Sequence, residues 1–144
     1  MSSTTSGAER SLKYILSGTT YSGLGSYLYI GLSTTTIATD GTNVTLPVAG
    51  RGYSTQLIAR NSGNWNITED GVISNTNGIA FPKATGNWGS VKEIFISIDS
   101  GTSASSIQYH QPLVPNIPVN TGTTVVIPAG SLIIKRDSTS YQTE

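Results

Sequence analysis

The sequence contains few side chains that could act together in catalysis. His110 is its one histidine and would have to be the base of any Ser-His-Asp arrangement, yet no serine lies in a G-x-S-x-G turn. His110 stands between Tyr109 and Gln111 near the end of a predicted strand, which is typical of a surface or interface histidine. We therefore expect no catalytic role for it.

The acidic residues give equally weak evidence for catalysis or metal binding. A carboxylate pair for glycoside hydrolysis could be drawn only from these residues: Glu69, Asp70, Glu93 and Asp99. The turns at residues 40–43 and 69–71 resemble fragments of calcium loops but lack their density of acidic side chains. Cysteine is absent, which excludes disulfides and thiolate metal sites. We predict no catalytic, cofactor-binding or metal-binding residue, and a protein that is not an enzyme.

Two tryptophans leave two interpretations open. Trp65 and Trp88 could stack on sugar rings, as in a lectin. Large aromatic residues near strand ends more often cover a hydrophobic core, so we expect both to be core lids.

The elements that position these residues are mostly predicted strands. Residues 91–98, VKEIFISI, carry apolar side chains at both parities, which predicts a central strand buried on both faces and covered by a second layer. Residues 27–32, YLYIGL, predict another buried strand. Weaker strand signals occupy further runs: residues 51–60, 67–73 (broken at Asp70-Gly71), 78–82, 107–113 (ending in prolines), 123–127 and 132–134.

The fold class follows from these strands. The last two runs are joined by Pro128-Ala129-Gly130, which predicts a hairpin that completes the sheet. About seven to nine short strands with turn signals between them predict an all-β fold, an antiparallel β-sandwich that is jelly-roll-like. A parallel sheet would need crossover helices, for which the sequence has no candidates.

One short helix is predicted at the N-terminus. Ser6 and Glu9 have capping-box spacing, and Gly18 offers a helix stop. The apolar stripe of this helix includes three candidate interface residues: Leu12, Ile15 and Leu16. We expect an N-terminal arm and helix over residues 1–18, a β-sandwich domain over 19–136 and a polar tail over 137–144.

Two further segments are candidates for contact with a partner. Residues 33–50 form a long loop, and loops of that length are functional or are ordered by a partner. Its candidate interface residues are Thr36, Asp40 and Asn43. The other segment carries Pro112, Pro115 and Pro118, whose spacing suits polyproline geometry. The preferred interpretation is a sheet edge protected from pairing.

Composition limits the choice of partner. Eight Lys and Arg balance eight Asp and Glu, and charged residues form only 11% of the chain, so no nucleic-acid partner is predicted. No apolar run approaches the ~20 residues of a membrane span, and the first residues lack signal-peptide features, so we expect synthesis in the cytoplasm and no membrane partner.

Several motifs together resemble a known family. The most specific is FPKATGNWGSV at residues 81–91. Weaker matches are LYIGLST at 28–34, GY at 52–53, Trp65, SN at 74–75 and IPAGSLII at 127–134. This pattern resembles small virion proteins of tailed bacteriophages that are commonly described as phage tail fibre proteins. Similar small β-proteins serve as capsid cement or decoration proteins. The chain departs from the family at residues 99–120, where a Ser-rich turn and three prolines occur.

The resemblance implies a structural role in the virion, with no catalytic residue to carry over. The leading hypothesis is a cement protein on the capsid surface, a probable homotrimer that binds and stabilises neighbouring major capsid subunits. The alternative is a structural protein of the tail or baseplate that binds host glycans through Trp65 or Trp88. A hydrolase of surface polysaccharide is the least favoured hypothesis.

Overall fold

A computed structural model describes residues 2–3, 26–68 and 72–135 of the chain. Within these ranges every regular element is a β-strand. The strands are β1 (Ser2–Ser3), β2 (Tyr27–Ser33), β3 (Gln56–Ala59), β4 (Trp65–Ile67), β5 (Val72–Asn75), β6 (Ile79–Ala80), β7 (Gly89–Ser97), β8 (Ile107–Val119), β9 (Val126–Ile127) and β10 (Ile133–Lys135). The predicted helix with Leu12, Ile15 and Leu16 lies outside the described residues, as does the predicted tail over 137–144.

The strands form three sheets in which every pairing is antiparallel. The largest sheet has five strands in the order β1-β8-β7-β2-β3, the second has the order β10-β5-β4, and the third pairs β6 with β9. The all-β antiparallel class is therefore confirmed. A jelly roll is not confirmed, because a jelly roll distributes eight strands over two sheets by Greek-key connections, whereas these orders are different.

Strand β7 is the central strand that its sequence predicts. It pairs with β2 on one side and β8 on the other. Its alternating side chains point to opposite faces of the sheet, and Ile94 and Ile96 on one face are as well buried as Glu93 and Phe95 on the other. Strand β7 is thus covered on both faces.

The inner face of the five-stranded sheet shares one hydrophobic core with the two smaller sheets. Fully burying an aliphatic side chain of this kind contributes about 1.5–3 kcal/mol. The sheet supplies Leu28, Ile30, Leu32, Ile94, Ile96 and Tyr109. The smaller sheets and their connections supply Trp65, Ile73, Ile79, Phe81, Trp88, Val125, Leu132 and Ile134. The second layer that β7 requires is therefore built from both smaller sheets.

The outer face of the same sheet carries a second, smaller core. Phe95 and Ile107 are buried there under Ile37 and Val44 of the long loop. Gly31 lies opposite Phe95 in the register of β2 and β7. A Cβ atom on Gly31 would lie 2.2 Å from Phe95 Cζ, so the phenyl ring occupies the space above the glycine. The loop thus covers β7 on the face away from the main core.

Three sequence predictions about strands are corrected. The run over residues 51–60 is a strand only in β3. The predicted final hairpin is wrong, because β9 pairs with β6 and β10 pairs with β5. Asn75 binds the connection between β9 and β10. Its Nδ2 donates to Pro128 O at 3.0 Å, and its Oδ1 accepts from Leu132 N at 2.9 Å. The turn therefore joins two sheets.

The third correction concerns the prolines of β8. The strand does not end at them but continues through Pro112 and Pro118, which pair with Glu93 and Ser90 of β7. On its other side, within the described residues, β8 pairs only with β1, at Tyr109 and His110. Proline is tolerated where no neighbouring strand needs its missing N–H. The predicted strand end is therefore wrong, while the edge character of this segment stays a prediction.

Replacing Gly31 with alanine tests the packing of the outer face. The added methyl group must displace the Phe95 ring, and overpacking of this kind costs about 1–3 kcal/mol or more. We expect G31A to lower the free energy of unfolding by that amount in urea denaturation.

The matched control is Gly78→Ala, whose Cβ would lie 3.5 Å from Ile127 O, an ordinary contact. Equal stability losses in G31A and G78A would contradict the packing of Phe95 on Gly31.

Candidate functional site

A buried acid and histidine connect β7, β8 and the long loop. Glu93 Oε1 lies 2.8 Å from His110 Nδ1, and both side chains are nearly inaccessible to solvent. The other carboxylate oxygen, Oε2, accepts a hydrogen bond from Ile37 N at 2.5 Å. Of the predicted surface or interface position of His110, the surface position is wrong, since the residue is only 9% exposed.

The surroundings of this pair give it a structural role. Ser33 lies opposite Glu93 in the register of β2 and β7, but its hydroxyl already donates to Thr35 O at 2.8 Å. The Ser33 hydroxyl is thus held by the loop rather than by His110. The carboxylate instead holds the backbone of the loop at Ile37, next to the small outer core.

Truncating Glu93 tests this anchoring role. Glu93→Ala leaves His110 and the Ile37 N–H without their buried partner, and removing one member of a buried pair costs about 3–5 kcal/mol. We expect that loss in urea denaturation, together with faster amide hydrogen exchange in the loop.

Two variants control for charge and position. Glu93→Gln keeps an acceptor for Ile37 N and should protect the loop better than E93A does. Asp99→Asn changes an exposed carboxylate that accepts from Gly101 N and should have little effect. Equal exchange in E93A and E93Q would contradict the hydrogen bond as the anchor.

The long loop is ordered by bonds within the chain. Asn43 Nδ2 donates to Thr36 O at 2.7 Å, and Asn43 has a positive φ of 69°. Asp40 Oδ1 accepts from the side chain and backbone of Thr42, and these bonds hold the Asp40 pKa below its ordinary value. The predicted interface residues Thr36, Asp40 and Asn43 are all exposed, yet each takes part in this internal network. The loop therefore does not need a partner to order it.

The predicted proline segment approaches the loop at Glu93. Pro112 pairs with Glu93 in the register of β7 and β8, and the carboxylate of Glu93 binds Ile37, next to Thr36. Pro115 and Pro118 lie farther along β8, and all three prolines are exposed. The structure thus brings one of the predicted prolines near the loop. It does not test their role as an interface.

Neither tryptophan presents its ring for sugar stacking. Trp65 and Trp88 are 1% and 2% exposed and belong to the main core, as predicted for core lids. Trp65 borders an open depression of about 470 Å³ with polar walls, but its ring face is not accessible there. Glycan stacking through these residues therefore has no surface to act on.

The motif that carries the family resemblance is a structural junction. Phe81, Ala84 and Trp88 donate backbone hydrogen bonds to Val125, Thr123 and Val119 in that order, each at 2.9 Å. This series attaches one side of the motif to the chain leading from β8 to β9.

The other side of the motif binds the segment before β3. Trp88 Nε1 donates to Arg51 O at 2.7 Å, and Arg51 Nη1 donates to Asn87 O. Gly52 has a φ of 87°, and a Cβ on it would lie 2.8 Å from Lys83 O. Only glycine suits that position. The motif is thus explained by folding rather than by chemistry.

Tyr53 joins this junction to the central sheet. Its ring stacks on Phe81 with centroids 6.1 Å apart and meets Trp88 edge-on at 5.4 Å. Its hydroxyl accepts from Leu32 N at 3.0 Å and bonds with Thr55 Oγ1 at 3.0 Å. Burial raises the pKa of the Tyr53 phenol, while these two hydrogen bonds act in the opposite direction.

The raised pKa of Tyr53 predicts alkaline sensitivity. The folded state favours the neutral phenol, so its contribution to stability is complete below the unfolded pKa of about 10 and is lost as pH rises through the higher folded pKa. Tyr53→Phe should lose about 1–3 kcal/mol at neutral pH, because Leu32 N–H becomes unpaired. Between about pH 8 and about pH 10.5, the free energy of unfolding measured in urea should also fall less in Y53F than in the wild type.

Tyr27→Phe, at an exposed tyrosine, is the control. Identical alkaline losses in wild type and Y53F would show that Tyr53 does not cause the effect.

An apolar cavity between β8 and β9 is a feature that no sequence pattern predicts. The cavity has a volume of about 220 Å³ and extends from exposed residues inward to the main core. Its walls include Gln111, Leu113, Ile117, Val126, Ile127 and Leu132. Leu113 of this lining lies in a bulge of β8, where the register passes from Val91 opposite Ile117 to Glu93 opposite Pro112. The types of neighbouring residues do not predict such a bulge.

The acidic residues considered for glycoside hydrolysis form no catalytic pair among the described residues. Glu69 and Asp70 lie outside the described residues, and Glu93 and Asp99 are committed to other contacts. The described residues contain no group of three or more potential metal ligands. Across the same residues no helix has the length and apolarity to span a bilayer.

These features define an all-β protein whose described candidate residues are used mainly in packing and in internal hydrogen bonds. A family model described as Podophage GP4 fiber I protein gp80 matches residues 2–135, and the chain belongs to this family. No curated protein matches the chain. The predicted membership in a phage virion family is therefore confirmed, with a fibre protein as its type.

Proposed function

We propose that the protein is a non-enzymatic structural subunit of a podophage fibre, placed on the tail side of the virion. The single observation that carries this proposal is the family match, which spans residues 2–135 and names a fibre protein. The match favours the tail-associated alternative over the capsid cement hypothesis, and it gives no support to contact with major capsid subunits.

The structure supports a mechanical role for the subunit. The side chains that could do chemistry are used in packing: Glu93 anchors a loop, and both tryptophans lie in the core. Apart from Asp40, the candidate partner residues that the structure describes are uncharged and exposed, as at Thr36, Asn43 and the prolines of β8. Such a subunit functions by holding its position in an assembly of identical or different proteins. A homotrimer stays our predicted state.

Location in the virion tests the proposal. Antibodies against the recombinant protein, detected with gold in electron micrographs of purified virions, should label the fibres or the tail. Antibodies against the major capsid protein serve as the control for access to the head. Gold distributed over the capsid with bare tails would overturn the fibre role and restore the cement hypothesis.

A further inference from the structure

An open depression of about 470 Å³ lies where β4 and β5 meet the turn that joins β9 to β10. Asn66 and Ser74 stand opposite each other in the register of β4 and β5, so their side chains point to the same face of that sheet. Both residues line the depression. Its volume is within the range of protein sites that bind small molecules.

The shape of the depression is fixed by bonds within the chain. Thr76 N donates to Asn64 O at 2.9 Å, and this bond holds the turn before β4 against the end of β5. Gly130 N donates to Asn75 O at 2.8 Å, so the turn after β9 is held at the same end of β5. A ligand therefore meets a preformed surface and does not have to order it.

Four polar side chains of the depression have no hydrogen-bond partner within the described residues. They are the side chains of Ser62, Asn66, Ser74 and Thr76. Asn75 differs from them, because its amide already bonds to the backbone of Asn77, Pro128 and Leu132. The four unbonded side chains bond to water until a ligand with matching groups replaces it.

The chemistry of the lining limits the class of ligand. No described residue of the lining is charged, so the depression offers no cation to an anionic ligand and no carboxylate to a metal ion. Serine and threonine hydroxyls both donate and accept, and the asparagine amide does so through two atoms. Sugar hydroxyls do both as well, whereas a peptide backbone presents donors and acceptors in fixed alternation. The lining therefore favours an uncharged sugar.

Trp65 also lines the depression, but it does not offer a stacking surface. Its side chain is 1% exposed, and its buried Nε1 has no hydrogen-bond partner among the described residues. Recognition at this place therefore depends on the polar side chains at the surface. The indole of Trp65 remains a useful reporter, because it borders the site without being needed for contact.

We propose that the depression beside β4 and β5 binds an uncharged sugar residue of a polysaccharide through the side chains of Ser62, Asn66, Ser74 and Thr76. This inference rests on the proposed fibre function for its biological setting, in which the polysaccharide belongs to the surface of the host cell. It differs from stacking on Trp65 or Trp88, because hydrogen bonds alone supply the recognition.

The first test is an array of neutral and acidic bacterial oligosaccharides, with uncharged peptides as a second arm. Neutral oligosaccharides should bind, and calorimetry with the best of them gives the dissociation constant. Asn66→Ala and Ser74→Ala should each raise that constant roughly 3- to 10-fold, since each removes a hydrogen bond between uncharged groups. Asn116→Ala is the matched control, because Asn116 is exposed on β8 and does not line the depression. Urea denaturation confirms that each variant is folded.

The second test uses the two indole N–H signals in a proton–nitrogen NMR spectrum, recorded while the same oligosaccharide is added. The Trp65 signal should shift, because its indole borders the depression. The Trp88 signal is the internal control, because its N–H is bonded to Arg51 O in the junction. The Trp65 shift should be smaller in N66A than in N116A at the same oligosaccharide concentration.

Four results would overturn the inference: no neutral oligosaccharide bound at millimolar concentration, preference for acidic oligosaccharides or for peptides, equal affinities in N66A, S74A and N116A, or an unmoved Trp65 signal. These outcomes are independent of the virion labelling. Tail labelling without sugar binding would refute the sugar site alone, and capsid labelling with sugar binding intact would refute the fibre role alone.

Discussion

The burial of β7 on both faces is the constraint on which the rest of the structure depends. Its inner face is covered by two small sheets, neither of which could bury its own apolar residues alone. Its outer face is covered by a loop from before β3, which is fixed at Ile37 by the carboxylate of Glu93. Placing that acidic residue on a buried strand would be costly without its two partners. The loop, the histidine and the strand thus require one another.

The sequence predicts the parts of the fold that depend on local alternation. The central strand, the strand over residues 27–32 and the burial of both tryptophans follow from apolar residues and their spacing. The burial of His110 does not, because its partner Glu93 lies on the neighbouring strand and is itself bonded to a loop backbone group 56 positions away. The prediction of a final hairpin is wrong for a similar reason. The turn at Pro128 is predicted from neighbouring residues, but in the structure it is held by hydrogen bonds to the distant residue Asn75.

The candidate site could be predicted only as a set of exposed segments. Polar and proline-rich composition correctly placed Thr36, Asp40, Asn43 and the three prolines at the surface. It could not show that Asp40 and Asn43 bond within the loop itself, because the backbone path of the loop sets those contacts. It also could not show the apolar cavity beside β8, because residues distant in the sequence line it together. The motif most specific to the family proved to be a junction of three segments, so its residues report how the family folds rather than what it binds.

The uncharged run from Ser100 to Ile134 has a consequence for the conditions in which the molecule works. Contacts between charged surfaces weaken as dissolved ions screen them, over a Debye length of about 8 Å at physiological ionic strength. A surface without fixed charge has little to be screened. Contacts made through this run should therefore change little with salt concentration.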